Sequence, residues 1–291
     1  MVERGRTQEG LNIKLQSLEE TSRFMKTRLL SPLLLAALLL SPALGQDWAK
    51  SKLAESPRHL EWVTVPQGER KVETYVAYPE NAKKATVVLV IHEIFGLSDW
   101  VKLQCDELAA AGYIAIAPDL LSGMGPDGGS TGSISDVEAA RKAISTLPAE
   151  QVTADLKAVA AYGKSLPAAN GKLAVVGFCW GGTQTFNFAT HSDTMLAAFP
   201  FYGSAPDDKT ALSRIARPLY GFYAENDARV NATVPATEAT LKELGKTFEP
   251  VTYPEAGHGF MRAGAAPDAS PANAKAREQA FQRLLSLLGK L

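Results

Sequence analysis

The chain is poor in the features that mark several protein classes. Of its 291 residues only Cys105 and Cys179 are cysteines, too few for a disulfide scaffold or a four-cysteine zinc site. Neither sign of charge dominates, with 30 Lys and Arg against 31 Asp and Glu, so nothing calls for nucleic acid or an anionic membrane surface as a partner. No uninterrupted apolar run reaches the roughly 20 residues of a membrane-spanning helix. Internal repeats, low-complexity linkers and the G-x-x-x-x-G-K-[ST] order of a phosphate loop are missing. The four histidines show no paired metal-ligand spacing, and neither a metal nor another cofactor is expected. What is present, 46% hydrophobic and 21% charged residues, is ordinary globular composition and fits an enzyme or a small-molecule binder.

The longest apolar run is Leu33–Leu40, LLLAALLL. Lys26 and Arg28 precede it, and Ala43-Leu44-Gly45 follows with small residues where signal peptidase reads. A charged flank, a short apolar core and an A-x-G ending make up a secretory signal. Pro32 and Pro42 argue against a buried core helix in its place. Glu3, Glu9, Glu19 and Glu20 are foreign to such a signal, whereas Met25-Lys26-Thr27-Arg28 opens one conventionally. The expectation is therefore a start at Met25, an upstream extension Met1–Phe24 and cleavage before Gln46. With no cysteine near that point, no stable membrane anchor is expected. The location read from this is secreted or periplasmic, with the cytoplasm as the fallback if the run is cryptic.

Residues 46–291 alternate β-rich runs with helical stretches. Strand candidates are Trp62–Val65, Val72–Tyr78, Thr86–Ile91, Tyr113–Ala117, Leu173–Gly177, Leu196–Phe201, Pro218–Tyr223 and Pro250–Tyr253. Runs such as TVVLVI and LAVVGF are continuously apolar, as strands buried on both faces of a parallel sheet must be. Helical windows are Asp99–Ala111, Ser135–Leu147, Gln151–Leu166, Gly181–Thr190, Val234–Leu244 and Ala272–Leu288. The alternation predicts a single α/β domain, a mostly parallel central sheet with helices on both faces. Gly123–Gly132, GMGPDGGSTG, reads as a surface loop rather than a substrate lid.

The most specific local signal is Gly177-Phe178-Cys179-Trp180-Gly181, which follows an apolar strand and opens a helical stretch. A G-x-nucleophile-x-G turn between strand and helix lifts its central residue above the sheet. The Trp180 N–H would then point into an oxyanion hole, and the helix end would favour the Cys179 thiolate. Among the histidines, His59 precedes the first strand and His191 ends the helix after the elbow. His92 and His258 both stand at strand ends, where such sheets place their sites. The chain order nucleophile, acid, histidine selects His258. Asp227 fits the acid, with Glu225 as the weaker alternative. Cys105 recurs with Val101 and Leu108 on an apolar face and reads as core, although an oxidising compartment raises the question of its pairing with Cys179.

These residues resemble the dienelactone hydrolase family of α/β-hydrolases from about Trp62 to Leu288. The marks are His92-Glu93-Ile94-Phe95-Gly96, Ala117-Pro118-Asp119-Leu120, the elbow GFCWGG, Glu225-Asn226-Asp227 and Gly257-His258-Gly259-Phe260. The resemblance implies a Cys179–His258–Asp227 triad that hydrolyses an ester or lactone through a thioester, in the manner of a carboxymethylenebutenolidase. It implies that Glu93 holds the resting thiol and that the N–H groups of Ile94 and Trp180 form the oxyanion hole. Arg262 matches one of two arginines that grip a substrate carboxylate in dienelactone-cleaving members. The second would fall near Gly123, where this sequence has no arginine, which puts the anionic lactone in question. Tyr202 and Trp180 are pocket-lining candidates, with plain packing as the alternative for an aromatic there. Broader esterase or thioesterase substrates, or a non-catalytic binder on the same scaffold, are the competing readings. The expected partner is a small molecule, and a monomer is favoured.

Overall fold

The computed structural model describes residues 46–81 and 83–291. The expected signal segment, the start at Met25 and the extension Met1–Phe24 lie outside the described residues. The described chain runs α1 (Asp47–Ala54), β1 (Leu60–Gln67), β2 (Arg70–Ala77), β3 (Ala85–Ile91), α2 (Asp99–Ala110) and β4 (Ile114–Pro118). A loop with two short 3₁₀ turns leads to α3 (Val137–Ser145), α4 (Ala149–Ser165), β5 (Ala169–Phe178), α5 (Trp180–Ala189) and β6 (Ala198–Phe201). Then come α6 (Lys209–Ser213), β7 (Leu219–Asn226), α7 (Ala228–Asn231), α8 (Val234–Glu243), β8 (Phe248–Gly257), α9 (Phe260–Ala263) and α10 (Pro271–Leu288).

The strands form one sheet in the order β1-β2-β4-β3-β5-β6-β7-β8. Pairing is antiparallel from β1 through β2 to β4 and parallel from β4 to β8. The predicted α/β-hydrolase architecture is therefore present, and every strand window holds a strand. Residues Val87–Ile91 are fully buried, and each such aliphatic side chain contributes roughly 1.5–3 kcal/mol on leaving water. Their alternation builds two cores. Val88 and Val90 join Ala174 and Val176 against α1, α2 and α10. Val87, Leu89 and Ile91 join Leu173 and Val175 against α4, α5 and α8.

The structure extends several strands beyond the apolar windows, most of all β5 toward its N-terminus and β7 and β8 toward their C-termini. The extensions of β7 and β8 matter most. After a bulge between Ala224 and Asn226, pairing resumes at Asn226↔Gly257, so the next residues, Asp227 and His258, leave the sheet side by side. Helix α1 falls outside the helical windows of the sequence. Only Ala49 in it is fully buried, and its place is set by packing on α2, where Gln46 Oε1 accepts the Trp100 N–H at 3.2 Å. Cys105 is fully buried on α2 as expected, and both cysteines are free thiols.

Candidate active site

The site begins at the carboxyl end of β5. The chain leaves Phe178, turns through Cys179 at φ 56° and ψ −114°, and enters α5 at Trp180. A non-glycine residue in that region costs about 1–3 kcal/mol and persists only when its surroundings hold it. The hold here is close packing. A Cβ on Gly181 would lie 2.3 Å from the Ile91 carbonyl oxygen, so only glycine lets the elbow sit against β3.

The β7–β8 register supplies the other two groups. Asp227 caps α7, its Oδ1 accepting the Val230 N–H at 3.4 Å, while its Oδ2 meets His258 Nδ1 at 2.5 Å. His258 Nε2 lies 3.1 Å from Cys179 Sγ. A buried carboxylate is acceptor-only, so it places the imidazole proton on Nδ1 and leaves Nε2 as the acceptor facing the thiol. Glu225, the alternative acid, is exposed, and its Oε2 accepts the Glu255 N–H at 2.8 Å. The geometry thus brings Asp227, not Glu225, to the imidazole.

The thiol departs from what the helix end alone predicts. Burial, together with the negative charge of Glu93, pushes the Cys179 pKa up to about 11. Hydrogen bonds from the Trp180 and Ile94 N–H groups and the charge of Arg229 act in the opposite direction but are outweighed. The motif predicts a helix end that favours thiolate; desolvation at the foot of the site wins, and the resting group is a thiol. Ile94 and Trp180, on different segments, nevertheless both turn an N–H toward the sulfur.

Glu93 is buried and its Oε2 accepts from Arg262 Nε at 2.8 Å. The guanidinium also lies over the Phe95 ring, 5.2 Å from its centroid. The carboxylate therefore acts on the thiol through its field, while its hydrogen bond goes to Arg262. Part of the Arg262 fork is occupied before any substrate arrives. Tyr202 is 1% exposed and sits edge-on to His258 at 5.1 Å and to Phe260 at 5.2 Å, packing against the imidazole. Trp180 is partly buried and stacks on His92 with ring centroids 5.6 Å apart. His92 is fully buried, and burial lowers its pKa. Its Nε2 accepts the Leu120 N–H at 3.3 Å, which leaves Nδ1–H to donate to the Glu93 carbonyl at 2.8 Å.

Sequence reasoning misses Arg229, an exposed cation two residues after Asp227 that acts on the sulfur. Its only signal is that closeness in sequence to the acid. Asp119 likewise gains a role only from the structure, although its motif is visible in the sequence. Its buried carboxylate receives hydrogen bonds from the glycine-rich loop.

The sequence profile of the dienelactone hydrolase family matches residues 72–291. A protein of Methylorubrum extorquens AM1, provisionally assigned as a carboxymethylenebutenolidase, is 32% identical over 209 residues, 68% of this chain and 71% of its own. A counterpart with the same assignment in Escherichia coli K12 is 29% identical over 237 residues, 77% of this chain and 84% of its own. The crystal structure of a provisionally assigned dienelactone hydrolase from Klebsiella pneumoniae is similar at a TM-score of 0.71 and 28% identity, covering 80% of this chain and 99% of that one.

Proposed function

The chain belongs to the dienelactone hydrolase family and is a hydrolase, and on that premise we propose that it cleaves a small ester or lactone through a Cys179–His258–Asp227 triad and a thioester acyl-enzyme. The observation that carries this is the hydrogen-bonded series from Cys179 Sγ to His258 Nε2 at 3.1 Å and from His258 Nδ1 to Asp227 at 2.5 Å.

The substrate carbonyl enters with its oxygen toward the Ile94 and Trp180 N–H groups. His258 Nε2 takes the thiol proton as Sγ attacks the carbonyl carbon. The imidazolium so formed is stabilised by the Asp227 carboxylate, and the tetrahedral oxyanion by the two N–H groups. One such donor contributes about 10²–10³ in rate. Collapse breaks the bond to the leaving oxygen, which receives the proton from Nε2. His258 then removes a proton from water, hydroxide attacks the thioester, and the second intermediate expels the sulfur, reprotonated by His258. Nucleophile, base and oxyanion donors all come from this one chain, so the reading needs neither cofactor nor second subunit.

With part of Arg262 engaged by Glu93 and no arginine near Gly123, uncharged esters are the favoured substrates and anionic dienelactone the poorer one. Export with cleavage before Gln46 completes the reading, and N-terminal sequencing of the natural protein tests it. The function is tested by hydrolysis of dienelactone and a short aryl ester by the purified protein beside Cys179→Ala. Loss of turnover in the variant with the aryl ester preferred supports both the nucleophile and the substrate preference. A wild-type rate no higher than that of Cys179→Ala would overturn the nucleophile.

A further inference from the structure

The glycine-rich loop before α3 has no part in the chemistry just described, yet it is bonded to the turn that carries Ile94. Thr131 N–H donates to Asp119 Oδ2 at 2.9 Å, and the Thr131 hydroxyl donates to Asp119 Oδ1 at 2.7 Å. The same hydroxyl oxygen accepts the Leu97 N–H at 3.1 Å. Using a hydroxyl as donor and acceptor at once excludes an apolar isostere. Asp119 is 1% exposed and also accepts the Leu121 N–H at 3.0 Å, so the carboxylate is held rigidly by three donors. Contact with the turn is tight: a Cβ on Gly96, itself at φ +76°, would fall 2.3 Å from Thr131 Oγ1. Gly96 N–H closes the turn around Ile94 by donating to the Glu93 carbonyl at 3.2 Å.

The segment Asp119–Leu121 also reaches the second oxyanion donor. Leu120 N–H holds His92, whose ring stacks on Trp180. Leu121 belongs to a small apolar cluster with Ala140 and Ile144, against which Ile94 and Trp180 both pack. Both N–H groups that face the sulfur are thus referenced to one short segment after β4.

From this arrangement we infer that Thr131 is a positioning residue, clamping the Glu93–Gly96 turn to Asp119 so that the Ile94 N–H meets the developing oxyanion. The inference rests on the proposed triad and on Ile94 as an oxyanion donor. Misplacing such a group by about 1 Å costs on the order of 10²-fold.

The test compares wild type, Thr131→Val, Thr131→Ser, Asp119→Asn and Ser133→Ala in the full protein. Ser133 is a control on the same loop, its hydroxyl donating to the Ser130 carbonyl at 2.8 Å. Measured are kcat and KM on an aryl ester and, separately, the alkylation rate of Cys179 by iodoacetamide, a displacement at tetrahedral carbon that builds no oxyanion. Expected for Thr131→Val is a kcat lower by about 10- to 100-fold, KM within about twofold, and unchanged alkylation. Thr131→Ser should recover most of kcat, Asp119→Asn should behave like Thr131→Val, and Ser133→Ala should match wild type. Unchanged kcat in Thr131→Val overturns the inference. A parallel fall in alkylation does too, since the nucleophile would then be disturbed, as does serine no better than valine. If Thr131→Val does not fold, Asp119→Asn carries the same comparison alone. Failure of the triad reading is told apart by wild type itself, which would then hydrolyse no faster than Cys179→Ala.

Discussion

Arg262 and Glu93, separated by 169 positions in sequence, form an ion pair at the site with Nε and Oε2 2.8 Å apart. The carboxylate faces two ways electrostatically. It satisfies the guanidinium, and it raises the pKa of the Cys179 thiol. Removing it therefore has a defined sign.

Glu93→Gln is expected to lower the Cys179 pKa from about 11, because a negative charge that opposes thiolate is lost and Arg262 is left uncompensated. Alkylation followed against pH should show the midpoint move down. Well below that midpoint, the alkylation rate at a fixed pH should rise about tenfold when the midpoint falls by one pH unit. An unchanged or higher midpoint would contradict the assigned cause.

Arg229→Gln should move the same midpoint upward, since Arg229 is a side-chain charge that favours the thiolate. The expected change is smaller than for Glu93→Gln because Arg229 is exposed and solvent screens it. Raising the salt concentration should shrink the difference between variant and wild type. Salt-independence would show that Arg229 acts through structure instead.

Asp227→Asn retains the volume but can donate toward Nδ1, which admits the wrong imidazole tautomer. We expect kcat to fall by about 10³-fold or more with the fold intact. The Val230 N–H keeps an acceptor at the cap of α7, so the urea midpoint should change by less than that of a core variant. A loss of stability proportionate to the loss of activity would argue that Asp227 is only a helix cap.

Gly181→Ala tests the seat of the elbow. Its methyl group would meet the backbone oxygens of Ile91 and His92 at 2.3 and 2.4 Å, and backbone in a central strand cannot yield as a side chain end can. Destabilisation of about 3 kcal/mol or more is expected, read as a lower urea midpoint with unchanged slope. A variant of wild-type stability would mean that α5 can slide away from β3.

The parts of this molecule that sequence makes visible are those with local periodicity or fixed order. β3 and the core of β5 are continuously apolar because both faces are covered, and the elbow is a five-residue pattern. Asp227 and His258 are reachable because each follows a β-rich run and the order of groups along the chain is restrictive. Helix α1 escapes such reading since eight residues with one fully buried alanine carry little periodic signal, and its stability comes from α2. The bonds between Thr131 and Asp119 and between Arg262 and Glu93 join segments that only the fold brings together. The thiol misleads for a different reason. A helix end can be read from a motif, whereas the depth at which the sulfur lies and the charge beside it cannot.

His258 hangs from the last strand of the sheet. Among the described residues β8 pairs with β7 alone and has no neighbour on its other side, and much of its length is exposed. Opening a sheet margin requires far less free energy than dismantling the centre. Heat or urea should therefore silence the molecule by fraying this margin and withdrawing the imidazole while β3, β4 and β5 still protect their amides from hydrogen exchange. The working life of the protein would then be governed by how firmly one ladder of backbone bonds, ending at Asn226 and Gly257, stays closed.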